Sequence, residues 1–179
     1  MIKALLISLC IVGLAFPQSK KEFADGKVVY DQLRRLAFVT SPETLRIKSY
    51  GPINGVYGIL MEIGLDNGSA SLVSFNTGET SLYFSTGGSV IGASRYDSVR
   101  AAAIKFVAMA DDFATRAPAT LVYPGPKRGE VQFYFLTKQA VLRRIFSEKE
   151  LQSPVDPFHR LYLAGQSVIS QLRLITPRK

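Results

Sequence analysis

Chemistry that depends on cysteine or histidine has almost nothing to work with in this chain. Its 179 residues hold one cysteine, Cys10, and one histidine, His159. Cys10 lies inside an apolar leader, so a chain processed after that leader has neither a thiol nor a disulfide. Cysteine–histidine catalysis and zinc-finger ligation are excluded with it. A serine–histidine–acid triad would have to use His159, and no G-x-S-x-G elbow supplies the serine. His159 therefore reads as a polar residue near the start of a helix. Serine–lysine hydrolases commonly show S-x-x-K, and no lysine here has a serine three residues before it. Asp111 and Asp112 are neighbours on a helix and point about 100° apart, so they do not converge as a carboxylate pair. Glu62 sits in an apolar strand, where its parity faces solvent or an arginine. No catalytic residue, metal ligand or cofactor is assigned.

Acidic residues are also in short supply. Lysine and arginine number 22 against 14 aspartates and glutamates, a formal charge of +8. The basic residues fall in scattered pairs: Lys20-Lys21, Arg34-Arg35, Lys127-Arg128, Arg143-Arg144 and Arg178-Lys179. A nucleic-acid surface gathers its charge on one face beside aromatics, and no helix–turn–helix or aromatic RNA-binding strand motif is present. A solvated basic surface fits better, with weak attraction to an anionic membrane or cell-wall polymer as its consequence.

An uncharged, mainly apolar run, Ala4 to Phe16, follows Met1-Ile-Lys3. At about 13 residues it is shorter than the roughly 20 that a spanning helix needs. The positive start, the apolar centre, and Gly13 and Ala15 before a cut at Phe16 match a secretory signal peptide. Residues 1–19 are therefore expected to be a signal or N-terminal hydrophobic segment with its leader, and 20–179 a single domain. An uncleaved anchor and a buried cytosolic segment are the alternatives. Asn67-Gly68-Ser69 matches a glycosylation acceptor, but a tight turn accounts for it.

What is abundant is β pattern. Val56 to Ile63 is apolar on both parities apart from Gly58 and Glu62, as in a strand covered on both faces. Asn67-Gly68 tolerates the positive φ of a hairpin turn, Ala70 to Phe75 returns, and Asn76-Thr77-Gly78 turns again into Thr80 to Ser85. This predicts a three-strand antiparallel meander. A helix follows from about Asp97 to Arg116, with Val99, Ala102, Ala103, Phe106, Ala110 and Phe113 on one face and Arg100, Asp111, Asp112 and Arg116 mostly off it. Leu121 to Gly129 is a Pro/Gly loop. Two strands, Val131–Leu136 and Ala140–Phe146, precede a last helix that Asp156-Pro157 opens. Upstream, Val28 to Phe38 reads as a helix. The expected fold class is α+β, with an antiparallel sheet of about five strands packed with helices in the order α-βββ-α-ββ-α. No repeat of 20 to 50 residues appears.

That element order, from Val28 to Ile175, resembles the type III secretion chaperone-like fold. The resemblance implies one α+β layer pair and a chaperone-like or regulatory dimer. The chain differs from that family in being basic and in carrying an export-like leader. The run Thr80-Ser-Leu-Tyr-Phe-Ser-Thr-Gly-Gly-Ser-Val-Ile-Gly92 is also similar to runs in small uncharacterised bacterial proteins, which brings no activity with it. The leading expectation is a non-enzymatic protein, exported or envelope-associated, acting through an unknown protein partner or self-association. The alternative site is Gly87, Gly88, Ser89 and Arg95, a glycine loop that binds an anion or ligand through backbone amides. It lacks the Gly-Lys-Ser/Thr ending of a P-loop, and the parallel sheet of a dinucleotide site. A glycine-permitted bend accounts for the same residues.

Overall fold

The computed structural model describes residues 20–48 and 53–176. The expected signal segment, Cys10 and the pair Arg178-Lys179 lie outside them. The fold is α+β: four helices packed on a seven-strand antiparallel sheet. Helix α1 (Lys20–Val39) leads into β1 (Val56–Leu65), β2 (Gly68–Phe75), β3 (Thr80–Phe84) and β4 (Ser89–Val90). Then come α2 (Asp97–Phe113), β5 (Ala119–Thr120), β6 (Glu130–Thr137) and β7 (Val141–Ser147). Helices α3 (Glu148–Gln152) and α4 (His159–Ile175) are the last of the described elements. In the sheet the order is β4-β3-β2-β1-β6-β7-β5.

The meander and the second hairpin stand where the alternation placed them. Two additions come from pairing rather than from pattern: β4 and β5, two residues each, cap the two edges of the sheet. The first turn differs in detail from the expectation. Asp66 and Asn67 form the loop between the paired residues Leu65 and Gly68, and the positive φ falls on Gly68, at 129°, not on Asn67. The last helix starts at His159, because Asp156 first makes a turn in which its carboxylate accepts from the Phe158 amide.

The sheet's pleat sorts its side chains into two layers. Ile59, Met61, Ile63, Leu72, Phe133 and Phe135 face α2 and α4, and form the larger apolar core with Phe106, Leu161 and Leu172. Leu60, Val73, Tyr83, Tyr134 and Leu136 face α1 and form the smaller one with Tyr30 and Ala37. Strands β1 and β6 are buried on both faces, which is why β1 reads as nearly unbroken apolar sequence.

Candidate functional site

A polar row runs across the α1 side of the sheet. Register places Tyr83, Ser71, Glu62 and Gln132 side by side on β3, β2, β1 and β6, and the row ends against the apolar Ile145 of β7. Ser71, Glu62 and Gln132 are fully buried, so each polar atom there needs a partner inside the protein.

Arg34 on α1 supplies the main one. Its Nε donates to Glu62 Oε1 at 2.6 Å and its Nη2 to Oε2 at 2.8 Å, a bidentate pair. Ser71 Oγ donates to Oε1 at 2.7 Å, and Gln132 Nε2 to Oε2 at 2.8 Å. Because the Ser71 proton goes to Glu62, the contact of 2.8 Å between Tyr30 and Ser71 has the Tyr30 hydroxyl donating. Tyr30 in turn accepts from Ser69 Oγ at 2.9 Å. Glu62 thus uses all four lone-pair positions of its carboxylate. It has no acceptor left for a substrate proton, and its chemistry here is that of a clamp.

The loop after β5 seals the clamp. Arg34 Nη1 donates to the Tyr123 carbonyl at 2.8 Å; Gln132 Nε2 and the Tyr134 hydroxyl donate to the Pro124 carbonyl at 2.8 and 2.7 Å. Tyr123 stacks on Phe38 of α1 with ring centroids 4.3 Å apart. Electrostatics follow from this burial. Removal from water raises the Tyr134 hydroxyl to about 12, with the Glu62 charge adding to the shift. Tyr30 and Tyr83 are raised for the same two reasons in the same order. For Arg34, burial alone would lower the pKa, and the bonds to Glu62 and its charge outweigh it, so the guanidinium is held protonated more firmly than usual.

At the far end of the row, Gln132 Oε1 accepts from Arg143 Nε at 3.0 Å and from Nη2 at 2.7 Å. The Tyr134 ring lies between two guanidinium groups, Arg34 at 5.8 Å and Arg143 at 5.6 Å from its centroid. Arg143 is held by a neutral amide and a ring and, among the described residues, has no carboxylate partner. It opens onto a cleft of about 320 Å³ lined by Pro118, Ala119, Thr120, Arg143, Arg144 and Ile145.

The glycine loop is the turn of the β3–β4 hairpin. Gly87 donates its amide to the Phe84 carbonyl at 3.0 Å, and Phe84 donates to the Gly88 carbonyl at 3.1 Å, with both glycines at positive φ. A side chain at Gly26 of α1 would meet the Gly87 Cα at 2.9 Å, so the helix rests on the turn through two glycines. Gly88 and Ser89 line a second cleft, about 220 Å³, with Val29, Tyr30, Leu33, Tyr83 and Phe84. Its walls are mainly apolar. Arg95 is not among them: it lies over the Tyr96 ring at 5.0 Å and donates to the Tyr96 hydroxyl. The structure therefore joins Gly88 and Ser89 to α1 and leaves Arg95 apart.

Asp111, expected off the buried face of α2, is buried. Its carboxylate accepts from the amides of Ile53, Asn54 and Val56 at 2.8 to 3.2 Å, and so fixes the entry to β1. Asp112 is exposed, and the two do not converge. His159 Nδ1 lies 2.7 Å from the Leu151 carbonyl and ties α4 to α3. Among the described residues no group of histidine, cysteine and acidic side chains could hold a metal ion, and no helix is long and apolar enough to cross a membrane. Comparison with family models, curated proteins and solved structures returns no significant match.

Proposed function

We propose that this is a non-enzymatic protein, exported or held at the envelope, that acts through protein–protein contacts, and that its first contact is a second copy of itself along α1. The supporting observation is the outer face of that helix. Val28, Val29, Leu36 and Val39 fall within an arc of about 100°, and Val28, Leu36 and Val39 are 55, 58 and 66% exposed. The opposite face is fixed on the sheet by Tyr30, Arg34 and Ala37, so α1 cannot roll to hide the stripe.

A two-fold pairing suits this face. Laid antiparallel about a two-fold axis between Leu33 and Arg34, α1 sets Val28 against Val39 of the second copy, and Gln32 against Arg35. No like charges then oppose one another across the seam. The test is light scattering of the full chain with Leu36→Glu and Val39→Glu. A dimer is expected for the wild type and a monomer for the double variant, with unchanged circular dichroism. A wild-type monomer at high concentration would sink the reading.

Two other readings stand beside it. The resemblance of the element order expected from the sequence suggests a cytosolic chaperone-like dimer, which differs in compartment; N-terminal sequencing from the native host, finding a start near Phe16 or an intact Met1, separates the two. The cleft beside Gly88 and Ser89 favours a ligand-binding role for the glycine loop, with an apolar group as its occupant. Weak contact of the basic surface with an anionic membrane or cell wall is compatible with all three.

A further inference from the structure

We infer that the cleft between Pro118–Thr120 and Arg143–Ile145 binds an acidic, extended segment of a partner protein. Three observations converge on it. The first is an open sheet edge. The Arg143 amide donates outward to the Pro118 carbonyl at 2.8 Å, and backbone groups of alternate residues in an antiparallel strand point to the same side. Ile145, two residues on, therefore presents its N–H and C=O on that outer edge. Strand β5 pairs with β7 only at Leu142 and Val141 and does not reach it.

The second is charge. Arg143 lies on the α1 side of the sheet and Arg144 on the other, and both line the cleft. Arg143 is oriented by Gln132, itself fully buried and locked by Glu62. Successive residues of an extended peptide point to opposite faces, so two consecutive carboxylates would meet the two guanidinium groups while the peptide backbone pairs with Ile145. The third is the width of the gap. Pro118 occupies the edge on one side of Ile145. On the other, the Ser147 amide is closed by Glu150 Oε2 at 2.7 Å. Room for one residue of pairing admits an unflanked strand and excludes edge-to-edge docking of a second sheet.

The test is fluorescence anisotropy on the full chain. The probe is a labelled peptide of about eight residues carrying a central Glu-Glu pair between valines, against its Lys-Lys counterpart. Saturable binding of the acidic peptide alone, weakened by added salt, is expected. Ile145→Pro removes only an outward amide, which an edge strand tolerates, and Arg144→Gln changes an exposed side chain; each should weaken binding about tenfold or more with thermal unfolding unchanged. Absence of saturable binding overturns the inference. So does full binding to Ile145→Pro, which would mean an anion held by arginine alone. Self-association of the wild type that Ile145→Pro abolishes would assign the edge to a second copy and overturn it too. None of these outcomes depends on α1.

Discussion

Glu62 is a carboxylate withdrawn from water and compensated at every lone pair. That makes it costly to disturb from either side. Glu62→Ala strands Arg34, Ser71 and Gln132 in the interior, and is expected to lower stability by about 3–5 kcal/mol, the usual cost of removing one partner of a buried ion pair. Adding Arg34→Met to Glu62→Leu should recover much of that loss, because an apolar pair of similar volume carries no desolvation penalty. Urea unfolding of the single and double variants checks both; a double variant no better than the single would show that the pair is not the main term. As an exception in an otherwise apolar strand, Glu62 is expected to face solvent or an arginine; the structure buries it fully and gives it the arginine. Which arginine was not legible, since Arg34 lies 28 residues upstream on another element. Asp111 was misread for a related reason: its partners are the amides of Ile53, Asn54 and Val56, and backbone donors leave no mark in a residue pattern.

The elements marked by a continuous apolar run, such as β1, or by periodicity, such as β2, β3, α2, β6 and β7, were all readable. Those that exist by pairing alone were not: β4 and β5 have two residues each, too few for any alternation to show. Helix α3 was within reach. Ser147-Glu148-Lys149-Glu150 is a capping box, with the Ser147 hydroxyl accepting from the Glu150 amide and the Glu150 carboxylate accepting from the Ser147 amide. The expected strand ends at Phe146, one residue before that signal, and the observed strand extends to Ser147 itself. Gly64, near the end of β1, carries a prediction of its own. A side chain there would lie 1.7 Å from the Lys127 carbonyl oxygen, which is backbone and cannot swing aside. Gly64 also accepts from the Gly129 amide at 3.0 Å, so the loop is fastened where the clash would occur. Gly64→Ala is expected to cost about 1–3 kcal/mol or more, and to speed amide exchange at Gly129. Wild-type exchange there would contradict it.

For the molecule as a whole, stability has an alkaline limit set by buried phenols. Tyr134 and Tyr162 are each raised from 10.0 to about 12, chiefly by burial, with Glu62 and Glu148 respectively adding to the shift. Below pH 10 both folded and unfolded chains keep these protons, and the contribution is whole. Above it the unfolded chain releases them while the folded chain holds them until about pH 12. Unfolding is therefore favoured progressively across that window. Chemical unfolding followed from pH 9 to 12, alongside tyrosinate absorbance, should show the midpoint falling as the unfolded baseline ionises; a midpoint that stays level would contradict the assignment. Tyr134→Phe keeps the ring between its two arginines and should flatten part of the slope.

The strand order also determines how the chain must find its fold. Strands β1, β2 and β3 form one local meander, and β6 and β7 one local hairpin, but the two meet only at the β1–β6 seam, where Glu62 and Gln132 face each other across a separation of 70 residues. Local hairpins close on the microsecond scale, whereas a seam this distant waits on loop closure and sets the pace. The same two residues decide its alignment. A slip of one position along β6 would turn Gln132 toward the helices α2 and α4 and leave Glu62 opposite an apolar side chain, a buried charge short of one of its donors. The hydrogen bond between Glu62 and Gln132 is thus a proofreading contact in assembly, made only when two independently formed halves of the sheet have docked in the right frame.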